Sequence, residues 1–267
     1  MLPAPYAMLL PEVAQIMRNP GRPILSRLGD PNPTLPTVHY CGLCSTPIPT
    51  QYSHCGPCQR AIDEHSTQMP GLVVPLTYAG ATPQSRRDVY GYKAAPPNTW
   101  AVRRLSILMY FFTELHRGCI RRHTGQPITS VVTVPSGRNR VPHPLDAFLR
   151  GFPDELKKSS AKFVGEPRNG RAKGISPADF DFEGRTDGEH VLIVEDSWVS
   201  GANALSLALR ARQQGAAEVS VLTLARFIDP TFDATATWMA TAAAAEPFDP
   251  LFCPVTWGAC PPEPHSN

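Results

Sequence analysis

The sequence lacks long hydrophobic runs, and this absence excludes the simplest form of membrane protein. No segment of the 267 residues is apolar without interruption for the roughly 18 residues that a spanning helix needs. The start of the chain, Met1–Pro5, also lacks the basic region and the apolar core of a secretion signal. We therefore expect a cytoplasmic protein without a membrane partner.

A large net charge is also missing, since 25 Lys and Arg side chains face 23 Asp and Glu side chains. The whole chain is therefore not a polycation of the kind that coats nucleic acid. The stretch Arg86–Arg140 is locally basic, with nine Arg and one Lys against two acidic residues. This excess would attract pyrophosphate or nucleic acid, unless it only forms a solvated helix face.

The chain has only seven cysteines, an odd number that points to a reducing compartment. Four of them follow the pattern C-x2-C-x10-C-x2-C: Cys41, Cys44, Cys55 and Cys58. Two close thiolate pairs suit a tetrahedral, structural zinc ion that has no open position for catalysis. Disulfides are the alternative, which a reducing compartment disfavours. His39 and His54 could replace a ligand, although exposed loop positions suit both better.

The three remaining cysteines do not follow a metal-binding spacing. Cys119 follows an apolar helical pattern and is interpreted as a small, half-buried hydrophobic residue. Cys253 and Cys260 could bind a metal or pair with each other, and the sequence favours free thiols.

Proline divides the chain, because many of the 30 prolines cluster near both ends. Both ends should be extended or poorly ordered in part, apart from a short helix near Pro11–Met17. The expected divisions are a Pro-rich segment, a zinc ribbon, a main domain and a Pro-rich tail: residues 1–38, 39–65, 72–230 and 231–267.

Strand and helix patterns alternate through the main domain, which predicts an α/β fold with a mainly parallel sheet flanked by helices. The helix over 99–118 should be capped by Asn98 or Thr99 and stopped by Gly118. Residues 165–190 have little periodicity and are expected to form a long mobile loop, with or without one short strand. The other predicted elements are strands at 72–78, 131–134, 191–194 and 218–225 and a helix at 203–214.

The most informative stretch is Val191–Asn203. Four branched apolar residues predict a buried parallel strand, and the acids Glu195 and Asp196 stand at its end. A turn of small residues, Val199–Asn203, then leads into a helix. Backbone amides at a helix start suit a phosphate, and two neighbouring acids suit vicinal hydroxyls, so the pattern predicts a sugar phosphate site. Solvated acids at an ordinary strand end are the alternative.

This stretch resembles the phosphoribosyl pyrophosphate (PRPP) signature of type I phosphoribosyltransferases, which is a strand, two acids and a Thr-Gly-x-Thr loop. The loop here is Ser200-Gly201-Ala202-Asn203, which departs from that signature at Asn203. Together with the cysteines, Tyr90–Lys93 and Val219–Arg226, the order resembles the ComF-like phosphoribosyltransferase family over about residues 39–230. That resemblance implies a zinc ribbon fused to a type I phosphoribosyltransferase core.

The resemblance also implies roles for individual residues. Glu195 and Asp196 would hold ribose hydroxyls, directly or through magnesium. The loop after the second strand would meet pyrophosphate, with Lys93 either assisting or being an ordinary surface lysine. The expected reaction joins the phosphoribosyl group to an unidentified nitrogen acceptor, in a protein for which a dimer is plausible. The residues expected at the 5′-phosphate are Ser200, Gly201, Ala202 and Asn203, and those expected at pyrophosphate are Ser136, Gly137 and Arg138.

Two other functions stay open at this point. A non-catalytic protein that binds PRPP or a nucleotide is favoured by Asn203 and by His143–Leu145, where the family commonly has Arg-Gly-Phe-Asn. An adaptor for DNA uptake is the other alternative, and the absence of Lys and Arg from Ser45–His54 argues against it.

Overall fold

A computed structural model describes residues 4–21, 39–135, 143–166, 174–241 and 246–262. Short 3-10 helices occur at Ser66–Gln68, Pro144–Gly151 and Pro177–Asp179. The helices are α1 (Ala4–Leu9), α2 (Pro11–Ala14), α3 (Gly56–His65), α4 (Pro83–Gly91), α5 (Thr99–Leu115), α6 (Arg117–Thr124), α7 (Ala202–Gln213) and α8 (Asp233–Met239). The strands are β1 (His39–Tyr40), β2 (Pro47–Ile48), β3 (Leu72–Ala79), β4 (Ser130–Thr133), β5 (Lys157–Lys158), β6 (Ala161–Phe163), β7 (Phe180–Phe182), β8 (His190–Trp198) and β9 (Glu218–Phe227).

The central sheet has five parallel strands in the order β3-β9-β8-β4-β5. Helices cover both faces, which confirms the predicted α/β architecture. Side chains of a strand alternate between the faces of the sheet. Leu192 and Val194 therefore lie in the core cluster that contains the α5 side chains, whereas Val191 and Ile193 lie in the cluster that contains those of α7. Burial on both faces explains the continuous apolar run of β8.

The helix predicted over 99–118 is confirmed at its start and wrong at its end. Asn98 Oδ1 accepts a hydrogen bond from the Ala101 amide at 3.0 Å, so Asn98 is the cap. Helix α5 ends at Leu115, and Gly118 lies inside α6 instead of stopping a helix. The break occurs at His116, whose φ of −130° leaves the helical region.

The described parts of both proline-rich chain ends are packed against the main core. Val13 at one end and Phe248 at the other are buried in the same core as α5. The Phe248 amide donates to the Ala14 carbonyl at 2.9 Å. Asn19 and Asp249 also exchange side-chain-to-backbone hydrogen bonds of 2.9 and 2.7 Å. Apolar residues between the prolines make this packing favourable, since their burial removes apolar surface from water.

The short helix expected near Pro11–Met17 is present, but α2 covers only Pro11–Ala14. The expected division between a ribbon, a main domain and two terminal segments stays a prediction. Within the residues that the model describes, no helix is both long and apolar enough to cross a membrane.

Candidate ligand site at the ends of the central strands

The acid pair lies within β8 and not beyond its end. In register with β9, Glu195 pairs with Thr223, and Trp198 still pairs with Arg226. The strand therefore continues to Trp198, past the predicted end at Val194, because the longer β9 keeps supplying backbone partners. The order in which the chain adds strands to the sheet reverses here. From β4 the chain goes on to β5 at one side, and from β8 it goes on to β9 at the other. Ligands of open parallel sheets commonly bind at the carboxyl ends of strands beside such a switch.

Glu195 is almost completely buried, with only 8% of its surface exposed. Its Oε2 atom has no hydrogen-bond partner among the described residues. Burial, together with the neighbouring charge of Asp196, raises the pKa of Glu195 to about 8. The protein therefore holds a mainly neutral carboxyl group here near pH 7.

Asp196 is held in the opposite state by a small polar network. Its Oδ2 atom accepts hydrogen bonds from the Tyr92 hydroxyl at 2.6 Å and from Lys93 Nζ at 2.7 Å. Its Oδ1 atom accepts from the Ser197 hydroxyl at 2.7 Å. Burial alone would raise the pKa of Asp196, but the Lys93 charge and these hydrogen bonds hold it below its usual value. A charged carboxylate thus adjoins a neutral one.

The turn after β8 is short and depends on one glycine. Gly201 has a φ of +78°, and a Cβ at this position would overlap the indole ring of Trp198. Helix α7 begins at the next residue, so the amides of its first turn are free of intrahelical partners. Ser200 Oγ accepts from the Ala202 amide at 3.4 Å. The predicted phosphate loop therefore runs into the start of α7, directly beside the two acids.

Asn203, where the loop departs from the phosphoribosyltransferase signature, lies in the first turn of α7. It lines a narrow cleft together with Phe163 of β6 and Phe180 of β7. The cleft lies where α7 meets the antiparallel pair β6 and β7, of which β7 is a short strand inside the stretch expected to be mostly loop. Asn203 thus lies next to this strand pair as well as in the predicted phosphate loop.

The predicted pyrophosphate loop begins at the same edge of the sheet. Thr133 pairs with Val194 in register, and the Val134 amide donates to the Val194 carbonyl at 2.9 Å. The chain therefore leaves β4 beside the acid pair. The residues assigned to pyrophosphate lie outside the described part of the chain: Ser136, Gly137 and Arg138.

The altered segment His143–Leu145 opens the 3-10 helix Pro144–Gly151. Asp146 accepts hydrogen bonds from the His143 amide and the Thr133 hydroxyl, at 3.1 and 3.0 Å, which fixes this helix against β4. Phe148 from the same helix packs edge-on against Tyr92, with ring centroids 5.6 Å apart. The segment thus supports the tyrosine that bonds to Asp196.

Arg226 connects the turn after β8 to the cysteine-rich segment. The sequence did not reveal this role, because Arg226 lies in an apolar strand. The guanidinium is 5% exposed, and its Nη1 donates to the carbonyls of Trp198, Val199 and Phe227. Its Nε donates to Thr46 Oγ1 at 2.6 Å. Thr46 lies in turn 3.0 Å from Cys44 Sγ. One buried cation thus joins the turn before α7 to the first cysteine pair.

The four predicted zinc ligands form one cluster, with all sulfur atoms within 4.8 Å of one another. Sulfur atoms of a tetrahedral zinc–thiolate site lie about 3.8 Å apart, given Zn–S bonds of about 2.3 Å. Cys44 Sγ and Cys55 Sγ are 3.7 Å apart, so the donor set fits the ion. Neither His39 nor His54 belongs to the cluster. Zinc would here be held by Cys41, Cys44, Cys55 and Cys58.

Two solved structures resemble part of this chain. A hypoxanthine phosphoribosyltransferase from Staphylococcus aureus is 13% identical, with a TM-score of 0.30 over 44% of this chain and 63% of that one. A purine phosphoribosyltransferase from Pyrococcus horikoshii is 15% identical, with a TM-score of 0.28 over 46% of this chain and 88% of that one.

The match thus spans less than two thirds of the Staphylococcus enzyme. No family model matches the chain. No curated protein matches it either. Because both TM-scores are low, these likenesses do not indicate what this chain does.

Proposed function

We propose that this protein is a magnesium-dependent phosphoribosyltransferase of the ComF-like type, acting on PRPP and a nitrogen acceptor. The observation that carries the proposal is the arrangement at the end of β8. A buried acid pair, a glycine turn and the start of α7 follow one another within Glu195–Ala202. Carboxylates suit ribose hydroxyls, and amides at a helix start suit a 5′-phosphate. One ligand that carries both groups would therefore bind to the acids and to the amides together.

The proposed reaction is a displacement at the anomeric carbon of PRPP. A bond forms between the acceptor nitrogen and this carbon, and the bond to the pyrophosphate oxygen breaks with its electron pair leaving on pyrophosphate. Positive charge develops on the ribose ring, so the enzyme acts by positioning the ring and by stabilising charge. The charged Asp196 is suited to that task, and the loop after β4 is assigned to the leaving pyrophosphate.

Magnesium would accompany the pyrophosphate and neutralise its charge. The ion usually combines one or two carboxylates with substrate phosphates and water, so a complete protein cage is not required. Glu195 and Asp196 supply hard oxygen donors of the type that magnesium prefers. Both Asp196 oxygens already accept hydrogen bonds, and therefore Glu195 is the acid that we assign to the ion or to the ribose. Its carboxyl group is mainly neutral near pH 7, so it would release its proton to solvent when the ion binds.

Lys93 contacts the acid pair, a role that the sequence did not suggest. Its ammonium group bonds to Asp196, and its side chain is only partly exposed. An arriving pyrophosphate would compete with this carboxylate for the lysine, as one anion against another. We propose that Lys93 keeps Asp196 ionised before binding and meets the pyrophosphate afterwards.

Binding to nucleic acid finds less support. Several cations of the Arg86–Arg140 stretch have intramolecular partners, which lowers their attraction for a polyanion. Arg104 pairs with the buried Asp88 at 2.9 Å, and Arg103 pairs with Glu12 at 2.5 Å. The positive charge that remains suits a site for a small anion at the sheet edge better than a DNA-binding surface.

The decisive binding experiment compares Asp196→Asn with the parent by calorimetric titration of PRPP in the presence of magnesium. We expect affinity to fall at least about tenfold, equivalent to about 1.4 kcal/mol, because the variant loses the charge that faces the ribose. Asp154→Asn is the matched control, since Asp154 is fully exposed and its partner among the described residues is the neighbouring Lys158. Equal PRPP affinity in Asp196→Asn and the parent would refute the assignment.

Turnover separates an enzyme from a regulator that only binds PRPP, an alternative that Asn203 favours. Pyrophosphate release would be measured with purine, pyrimidine and small amine acceptors, using Asp196→Asn as the inactive reference. Release above this reference for any acceptor supports the transferase. Release equal to the reference with every acceptor, while PRPP still binds to the parent, supports the regulator.

A further inference from the structure

A second cluster of metal-binding side chains lies far from the acid pair along the chain, where α5 meets the C-terminal segment. Its members are one histidine and the three cysteines outside the ribbon: His116, Cys119, Cys253 and Cys260. Their ligating atoms all lie within 4.8 Å of one another, the same separation that encloses the four sulfurs of the ribbon. His116, Cys119 and Cys253 are buried, and Cys260 lies at the surface.

The histidine is oriented as a metal ligand would be. His116 Nε2 lies 2.7 Å from the Pro250 carbonyl oxygen, which can only accept, so this nitrogen carries the proton. The neutral ring then has its lone pair on Nδ1, which lies 3.4 Å from Cys260 Sγ. A nitrogen and a sulfur bound to one tetrahedral zinc ion lie about 3.6 Å apart. Metal-bound histidines commonly donate their other N–H to a carbonyl in this way.

The backbone brings the two distant cysteines together with the histidine. His116 stands at the break between α5 and α6, and Cys119 lies in the first turn of α6. Cys253 forms a tight loop in which its amide donates to the Gly258 carbonyl at 2.8 Å. This loop returns the chain so that Cys260 also reaches the cluster.

The charge of the surroundings also fits a cation with thiolate ligands. Three thiolates and one divalent cation leave one net negative charge. Arg122 Nη2 donates to Cys119 Sγ at 3.0 Å and can offset that charge. Packing alone does not account for three thiols beside an oriented imidazole, because a buried thiol packs as a simple apolar group.

We propose that His116, Cys119, Cys253 and Cys260 bind a second, structural zinc ion. Each of the three thiols releases its proton to solvent when it binds, and no electron is transferred. Four protein ligands leave no open position, so the ion would stabilise the fold instead of catalysing a reaction. It would fasten the segment around residues 246–262 to the junction of α5 and α6, over a separation of 144 residues between Cys260 and His116.

Metal content of the full-length protein tests this proposal independently of any activity. We expect about two equivalents of zinc in the parent and about one in Cys260→Ser, whose exposed position makes misfolding a small risk. Cys55→Ser is the matched variant in the ribbon and should also retain about one equivalent. A parent with about one equivalent, all of it lost in Cys55→Ser, would overturn the second site.

Two further measurements distinguish the zinc site from a disulfide at the same place. They are the spectrum of bound cobalt and the number of free thiols. Cobalt bound to Cys55→Ser should give the visible bands of a tetrahedral thiolate site, and these should vanish when Cys260→Ser is added. A spectrum that the second substitution leaves unchanged would count against the proposal. Alkylation of the unfolded, unreduced parent should modify every cysteine, whereas a disulfide among Cys119, Cys253 and Cys260 would refute the zinc site.

Discussion

At the scale of single residues, two adjacent carboxyl groups of one strand have opposite protonation preferences. Glu195 points into a buried region without a hydrogen-bonding partner among the described residues, and its pKa rises to about 8. Asp196 points to the other face, where Lys93 and two hydroxyl groups keep its pKa low. The alternation of a strand therefore produces one proton-holding group and one permanent charge at the same sheet edge.

The raised pKa of Glu195 predicts a specific dependence of stability on pH. The group titrates near 4.5 when unfolded and near 8 when folded, so the folded state holds the extra proton between these values. Stability should therefore fall as pH rises through this window, by up to about 1.4 kcal/mol per pH unit for this one group. Glu195→Gln removes the titration, and its stability relative to the parent should increase from about pH 5.5 to pH 8.

Urea denaturation of parent and variant at several pH values, without ligand, measures this difference. Other ionisable groups contribute equally to both proteins, so the comparison isolates Glu195. A difference in unfolding free energy that stays constant across the window would contradict a buried, neutral Glu195.

At the scale of elements, the connection from β8 to α7 depends on contacts made inside the protein. The resemblance described above places Gly201 among the residues expected at the 5′-phosphate. The structure adds that a side chain here would collide with Trp198, while the positive φ itself strains any other residue. A bulky substitution therefore alters the shape of the turn as well as the approach of a ligand, and loss of binding alone would not separate these effects.

Gly125 offers a matched comparison for Gly201. Both have positive φ, +75° and +78°, but a Cβ on Gly125 would meet no atom within 4 Å. We expect Gly125→Ala to lower the free energy of unfolding by about 1 kcal/mol, from backbone strain alone. Gly201→Ala should cost clearly more, because the overlap with Trp198 adds to the same strain. Equal losses in chemical denaturation would show that the Trp198 contact does not restrict the turn.

At the scale of the whole molecule, the two chain ends close one face of the sheet together. The N-terminal helices and the segment around Phe248 share a core with α5, and hydrogen bonds from Phe248 and Asn19 join the two ends. The described terminal segments thus belong to the same packed core as α5. Damage at an end should be felt as a loss of global stability.

Phe248→Ala tests this contribution directly. Phe248 stacks on Phe111 with ring centroids 6.1 Å apart and is 8% exposed. We expect a loss of about 3 kcal/mol or more in unfolding free energy, from lost burial and the cavity left behind. Leu251→Ala is the control from the same segment, since Leu251 is 51% exposed and should change stability by less than about 0.5 kcal/mol. Similar, small losses in both variants would mean that the segment is only loosely attached.

The sequence by itself determined the features that depend on neighbouring residues. Apolar runs between helical patterns identified four of the five strands of the central sheet and their parallel arrangement. Asn98 marked the start of α5 because a cap acts within one turn. The ribbon cysteines were recognisable because only two or ten residues separate successive ligands. The acid pair and its turn were visible for the same reason, although the strand proved longer than its apolar run.

Only the tertiary structure decided which distant side chains meet. Lys93 reaches Asp196 across 103 residues, Arg226 reaches Thr46 across 180, and His116 reaches Cys260 across 144. Local patterns carry no information on such pairs, because the order of strands in the sheet and the path of the chain ends bring them together. The protonation of the acid pair and the second zinc site proposed here both depend on these meetings, and so neither could be read from spacing alone.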